Sequence, residues 1–473
     1  MALSLASLLA TVSLAAAAVI SPDTVIDVDV AILGGGASGS HAAVRLREDH
    51  GKSVVVVEKQ ARLGGHVATF FDPESGRPYN YGVNSFTEYG NAEAFFDRLN
   101  VTLMTPGRLP LTTTYADFTS GEKLEDVVLA QPADTTAALR KYLAICEQYE
   151  YMILPSYENF PEEVPEDLVL PFGEFAKKHQ LEAAVGRIFQ VTGLGTGDMN
   201  DLPTLYVMQA FGAPITRSFV GLAGSFVPAS GSNQELYDKI ATLLGDDVLY
   251  SSTVTESKRT ADGVTLRIKT AGQPGTITIH AKRLLISFEP TLANLRGIAL
   301  DDEERAVFSK WLWSTVYVGI ARNPALPISG SLTNTPTSAV PSNWLEVPRN
   351  PFVGRFDWMG EDNFRVLVTG TEKTDNCDAQ AMVKKTFKRL LAAGTVAGED
   401  EKVELAAWAD HGAMHLHVSP EDLAGGFIRR KYALQGRGST FYTGGAWSAQ
   451  FTTILWEYND KYLLPKLLAS LED

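Results

Sequence analysis

Two short apolar runs rich in β-branched residues, Val28–Leu33 and Ser53–Val57, flank a cluster of glycines and a stretch of helical spacing from His41 to His50. Unbroken apolar runs bounded by turn residues read as buried strands, so the order strand, turn, helix, strand predicts one βαβ unit with parallel strands. The pattern is strand-and-turn from Leu99 to Pro132, with residues 109–118 extended, and turns helical over 135–154 and 172–189 on either side of a proline-rich, acidic link. A helix from Ser232-Asn233-Gln234-Glu235 to Leu244, a strand over 248–254, hairpins at Asp262-Gly263 and 272–275, and a return strand at 283–287 follow. Helix into strand is predicted over 306–323, an amphipathic helix over 375–393, and a strand, glycine turn and helix over 440–457. Segment 407–418 lacks helical character.

The first unit carries chemistry. Gly34 makes the tight turn, Gly36 lets the backbone approach a pyrophosphate, and Gly39 lets the helix pack on its strand. Ala37 and Ser38 open the helix, whose N–H groups face the phosphates, and Glu58 with Lys59 ends the second strand, where the acid accepts from ribose hydroxyls and repels a 2′-phosphate. A lone glycine motif is weak, but strand, helix and acid at their expected distances make a dinucleotide site. A second glycine cluster, Gly193 to Gly197, has no buried strand ending in an acid and reads as a loop.

With 473 residues the chain exceeds one ordinary domain. A formal charge of −15 argues against nucleic acid and against an anionic membrane surface. Residues 1–18 are apolar and end in Ala16-Ala17-Ala18, the pattern of a secretory signal peptide, so a secreted or secretory-pathway protein is expected, with Asn100-Val101-Thr102 as a glycosylation sequon. Cys146 and Cys377 could pair or remain free thiols. His411, His415 and His417 invite a metal reading, but no further ligand completes a tetrahedral set, and no metal site is assigned.

Directly after Glu58 comes Arg62-Leu63-Gly64-Gly65-His66. This continuation resembles the FAD-binding signature of the flavin amine oxidase superfamily, in which Arg62, Gly64, Gly65 and His66 would pass the pyrophosphate and ribityl chain. The resemblance implies FAD as cofactor and an α/β fold: a Rossmann-like FAD-binding domain interleaved with an α+β substrate domain that has a mixed sheet and a helical insert. The expected segments are 24–98, 225–290 and 406–473 for the cofactor, and 99–224 and 291–405 for the substrate. It also implies that Tyr81 and Gly82 border the flavin, although residues 68–88 read equally as an aromatic loop packed on the sheet. Val254 takes the place where a backbone meets the adenine. Thr440-Phe441-Tyr442-Thr443-Gly444-Gly445-Ala446-Trp447 and the helix after it resemble the superfamily's C-terminal flavin motif, placing Gly444, Gly445, Thr452 and Thr453 at the cofactor.

Three departures shape the expected activity. Gly445-Ala446 replaces an acid that commonly meets the ribityl-phosphate region, Phe441 replaces a tyrosine of the amine-binding aromatic pair, and no lysine lies within the strand after Lys310 where many relatives hold one near flavin N5. Small-amine oxidation and rapid reaction with oxygen are therefore not expected. Over its whole length the chain is similar to the fungal β-cyclopiazonate dehydrogenase-like flavoproteins, through Pro171–Phe175, Leu202–Gln209, Ala433–Arg437, Tyr442-Thr443-Gly444 and Trp456. That resemblance implies an FAD-dependent oxidoreductase that takes a hydride from a bulky small molecule by dehydrogenation or oxidative cyclisation. Phe441 and Trp447 would shape the pocket and His411 act as a base. A flavin-dependent fatty acid isomerase or an amine oxidase is the alternative. His66 could carry a covalent flavin link, or pack and hydrogen-bond.

Overall fold

The computed structural model describes residues 24–107 and 109–472; the expected signal peptide at 1–18 lies outside the described residues. The first sheet is built from β1 (Val25–Leu33), β2 (Val54–Val57) and β3 (Ile277–Ile286), all parallel, with Leu33 opposite Val57 on one side and Ile286 on the other. Its order is Ser252–Arg259, Val264–Thr270, β3, β1, β2, Val248–Leu249, and the short strand Thr440–Tyr442 adds parallel to the end of β3. β2 is buried throughout, as its unbroken valines predict. Helix α1 (Ala37–Val44) starts earlier than the apolar spacing suggests, because Gly36 supplies an extended N-cap, and it continues into one wide turn, Arg45–Asp49.

The second sheet runs β5 (Glu404–His417), β4 (Leu312–Arg322), Asn363–Gly370, Phe352–Gly360, Gly330–Asn334, Thr112–Ala116. Its last pair is parallel and the others antiparallel, so the sheet is mixed. Helix Asn376–Ala392, opened by a capping box between Asp375 and Asp378, buries Val383, Phe387 and Leu390 against one face. The insert supplies helices Pro132–Ile153, Glu182–Val191, Thr204–Ala210 and Ala213–Phe219.

Two expectations change, and the open choice for the cysteines is decided. The segment from 407 is the long outer strand β5, so a boundary at 406 cuts through the second sheet. Helical spacing over 172–189 resolves into two helices, Phe172–Lys178 and Glu182–Val191, separated where Gln180 takes φ +52°. Cys146 is buried, Cys377 is exposed, and both are free.

Every parallel strand of the first sheet ends at the same edge. Gly34 follows β1, Glu58 follows β2, Ser287 follows β3 and Thr443 follows Thr440–Tyr442. Open α/β sheets bind ligands beyond the carboxyl ends of their strands.

Candidate cofactor cavity and active site

A cavity of about 510 Å³ lies along that edge, within the roughly 300–1,000 Å³ of small-molecule sites. The first sheet contributes Gly34, Glu58, Val254 and Ser287; β5 contributes Asp410 to Ala413; the C-terminal motif contributes Gly444, Gly445 and Thr452.

The glycine turns explain its shape. Gly34, at φ +99°, donates its N–H to the Val57 carbonyl at 2.9 Å and so joins the turn to β2. A Cβ at position 39 would overlap the Gly34 carbonyl oxygen, so only glycine lets α1 sit this close to β1. The second turn folds onto the first: Gly64 N–H donates to Gly35 O at 2.9 Å, and a Cβ on Gly65 would come 2.9 Å from the Gly36 Cα. Glu58 anchors both. Its Oε2 accepts from Gly35 N–H at 2.6 Å and its Oε1 from Gln60 N–H at 2.7 Å, leaving lone pairs for hydroxyl donors.

Four polar atoms on the described residues lining this cavity are buried without a partner: Ser38 Oγ, Tyr237 Oη, Glu289 Oε2 and His411 Nε2. An unmade hydrogen bond at a buried group costs about 1–3 kcal/mol, so the walls suit a ligand rich in phosphate, hydroxyl and ring-nitrogen groups. FAD has all three, and the paired glycine turns leave room for its pyrophosphate.

The C-terminal motif is held from several directions. Gln209 of the insert donates through Nε2 to Gly445 O at 2.9 Å and also to Ser448 O. Lys431, almost wholly buried, donates to Ala446 O at 2.6 Å, and Tyr432 donates to Trp447 O. Thr443 donates to Asn459 Oδ1 at 2.7 Å, and Asn459 Nδ2 donates to Ser38 O at 2.9 Å, which links this loop to α1. Burial drives the Lys431 ammonium down to about 7, opposed by the nearby Glu289 charge. Burial likewise raises the Glu289 carboxyl to about 7 against the Gln450 amide, the Lys431 charge and the Ala446 N–H.

Among the residues read from sequence, Gly34, Gly36, Ala37, Ser38, Glu58, Lys59, Gly64, Gly65, His66, Val254, His411, Gly444, Gly445 and Thr452 line the cavity. Arg62 instead reaches Gln234 Oε1 at 3.0 Å beside Gly64. Tyr81 packs with Val316, Val318 and Ile320 of β4, and Gly82 is needed where the chain passes the His66 carbonyl. Helix α2 (Thr452–Tyr458) has Phe451 as N-cap with no side-chain cap, so neither threonine caps it, and Thr453 faces a small recess with His41 and Asp460.

Phe441 and Trp447 require correction as pocket residues. Phe441 lies in the strand opposite Leu285, and Trp447 is fully buried on Tyr442 with ring centres 5.1 Å apart; both belong to the core. Lys310 pairs with Asp422 at 3.1 Å. No cluster of three potential metal ligands occurs among the described residues. Sequence reading missed Glu289, Gln209 and Lys431, which come from segments distant in the chain.

His66 donates through Nε2 to the His411 carbonyl at 3.2 Å, leaving Nδ1 as the free ring nitrogen. Burial holds His66 down to about 4 and His411 well below the usual imidazole range, so both are neutral near pH 7.

A βαβ unit with a second glycine turn, facing a mixed substrate-side sheet across a dinucleotide-sized cavity, defines an FAD-dependent oxidoreductase class of site. The family model for NAD(P)-binding Rossmann-like domains matches residues 32–99. The chain is 35% identical over 438 residues to the β-cyclopiazonate dehydrogenase of Aspergillus oryzae, covering 92% of each. It is also 35% identical over 464 residues to an FAD-dependent oxidoreductase of Colletotrichum higginsianum, covering 94% of each. The chain therefore belongs to the family of FAD-dependent oxidoreductases that includes β-cyclopiazonate dehydrogenase. Its fold is shared with a fatty acid isomerase from P. acnes, at TM-score 0.71 and 20% identity over 93% of this chain and 98% of that one. Putrescine oxidase shares it at TM-score 0.60 and 16% identity over 94% and 100%.

Proposed function

We propose that this enzyme removes a hydride from an activated C–H bond of a bulky, largely apolar small molecule, in a dehydrogenation or oxidative cyclisation of secondary-metabolite biosynthesis. Bound FAD supplies the hydride acceptor. The reading is carried by the β5 wall of the cavity, where His411 is followed by Gly412 and Ala413 and the nearby aromatics Tyr81 and Phe441 are turned into packed cores. Among the described residues, the Asp410–Ala413 stretch of that wall carries no tyrosine or phenylalanine pair to enclose a small amine. His411, kept neutral by burial, has an unpartnered Nε2 that can orient a polar group beside the reacting carbon, while the same burial makes it a weak base. Holding the C–H against the acceptor is the main work of such a site, so an acid/base triad is not required.

The decisive experiment starts from the visible spectrum of the purified protein before and after acid precipitation, followed by mixing with bulky apolar candidates in the absence of air. A flavin spectrum bleached by a substrate that is recovered oxidised is expected. Colourless protein that takes up no added FAD overturns the cofactor, and a substrate recovered rearranged without net oxidation assigns an isomerase instead. Flavin retained in the acid pellet points to attachment at His66.

We also propose that residues 1–18 direct the chain into the secretory pathway. Asn100 and Thr102 are exposed, so the sequon is accessible to a glycosyltransferase. No helix among the described residues is long and apolar enough to cross a membrane. Amino-terminal sequencing of the exported protein and its mobility after deglycosylation test this; a cytosolic product with its first residues intact refutes it.

A further inference from the structure

Glu289 lies just past the end of β3, on the cavity wall between the phosphate turn and the C-terminal motif. Its neighbour Ser287 donates to Gly34 O at 2.8 Å and to Leu33 O at 2.9 Å, tying this stretch to the first glycine turn. The Glu289 carboxylate is held on one side only. Oε1 accepts from the Gln450 amide and the Ala446 N–H donates to the carboxylate, while Oε2 is buried with no partner.

Gly445 is small for this carboxylate. Its φ is not left-handed, so conformation does not demand glycine there, yet a Cβ would lie 2.6 Å from Glu289 Oε1 and overlap the Gln450 amide. The acid absent from position 445 is thus replaced in space by one that arrives from β3. The free oxygen is an acceptor. A phosphate would repel it when ionised, whereas a hydroxyl would satisfy it, and the hydroxyl-bearing part of FAD nearest the pyrophosphate on the flavin side is the ribityl chain.

We propose that Glu289 is a cofactor-binding residue whose Oε2 accepts a hydrogen bond from a ribityl hydroxyl of FAD, with Gly445 kept side-chain-free to admit its carboxylate. This rests on the FAD reading of the cavity. Lys431 supports the arrangement by holding the carbonyl of the same residue, Ala446, whose N–H holds Glu289. Burial raises the proton affinity of Glu289 despite the Gln450 amide and the Lys431 charge, as befits a carboxylate with one oxygen still unpartnered.

The test is titration of flavin-free protein with FAD and with its deoxyribityl analogues, followed by calorimetry. At about pH 8.5, where a carboxyl raised to about 7 is ionised, a hydrogen bond to this charged acceptor contributes about 1.5–3 kcal/mol, so Glu289→Ala should weaken FAD about 10- to 100-fold. Wild type should favour FAD over one deoxyribityl analogue by a similar factor, and the variant should bind both alike. Gly445→Asp alone should lose FAD through crowding and like charge, while Glu289→Gly combined with Gly445→Asp should recover most of the affinity. Should Glu289→Ala melt without folding, Glu289→Met retains the length without an acceptor and gives the same reading. Wild-type affinity in a folded Glu289 variant, or undiminished discrimination by it, overturns the proposal. Wild-type protein that binds no FAD overturns the cofactor reading itself.

Discussion

The imidazole of His66 lies on that of His411, ring centres 4.5 Å apart and planes 19° apart, while its Nε2 donates to the His411 carbonyl. His66 belongs to the second glycine turn and His411 to β5, so this contact closes the cavity between the two sheets. Removing the ring by His66→Ala leaves a backbone carbonyl without its donor and unstacks His411. The expected cost is about 1–3 kcal/mol in urea unfolding, together with weaker retention of FAD. Unchanged unfolding and unchanged affinity would show that the contact is incidental.

Gly36 and Gly39 are close in sequence and should fail in opposite ways. A Cβ at 39 overlaps the Gly34 carbonyl, so Gly39→Ala forces α1 off β1 and should lower stability by several kcal/mol even without FAD, on the order of an overpacked core. At 36 the nearest atom to a Cβ is the Gly65 Cα at 3.7 Å, ordinary contact. Gly36→Ala should therefore fold normally and lose flavin, because the methyl group occupies the backbone cradle. Melting of the flavin-free proteins beside their flavin content separates the two.

Arg259 and Glu304 form a bidentate pair at 2.6 and 2.9 Å, both nearly free of solvent, and Tyr442 donates to the same carboxylate at 2.7 Å. Tyr442 in turn stacks under Trp447, so the pair supports the C-terminal motif from behind. Arg259→Met strands a buried carboxylate and should cost about 3–5 kcal/mol; adding Glu304→Leu should return part of it. A double variant less stable than Arg259→Met would contradict this account.

The cofactor half of the fold was legible because its signals are local. Gly34, Gly36, Gly39 and Glu58 sit in one short segment whose backbone needs are set by chain geometry. Glu289, Gln209 and Lys431 gave no such signal: each acts on the Gly444–Ser448 loop from a different segment, and a buried lysine or glutamate reads in sequence as one more charged residue. Phe441 and Trp447 misled for the converse reason. Aromatic residues beside a glycine motif fit a pocket wall and a core equally well, and here parallel pairing with β3 and stacking on Tyr442 decide for the core. β5 escaped notice because its alanines, histidines and Gly412 are mostly half-buried, leaving no clean alternation to read.

The histidines make acid stability a test of packing. Burial holds His415 down to about 3 and His66 down to about 4, against an ordinary value near 6.5. The unfolded chain therefore takes up protons below about pH 6.5 that the folded chain refuses until far lower. Their contribution to stability is whole above pH 6.5, falls as the pH drops toward 4 and 3, and does not return below that. His41, His411 and His417 shift in the same direction. Glu289 works oppositely, since an acid raised to about 7 holds its proton in the fold and favours it as pH falls through that range. A single histidine is isolated by His415→Asn, which suits the left-handed backbone at φ +51° and cannot titrate. In flavin-free protein the gap between variant and wild type should shift toward the variant by up to about 2 kcal/mol between pH 7.5 and pH 5. Parallel stability curves across that interval would mean that His415 takes up its proton as readily in the folded chain as in the unfolded one, and that β5 is open to water at this point.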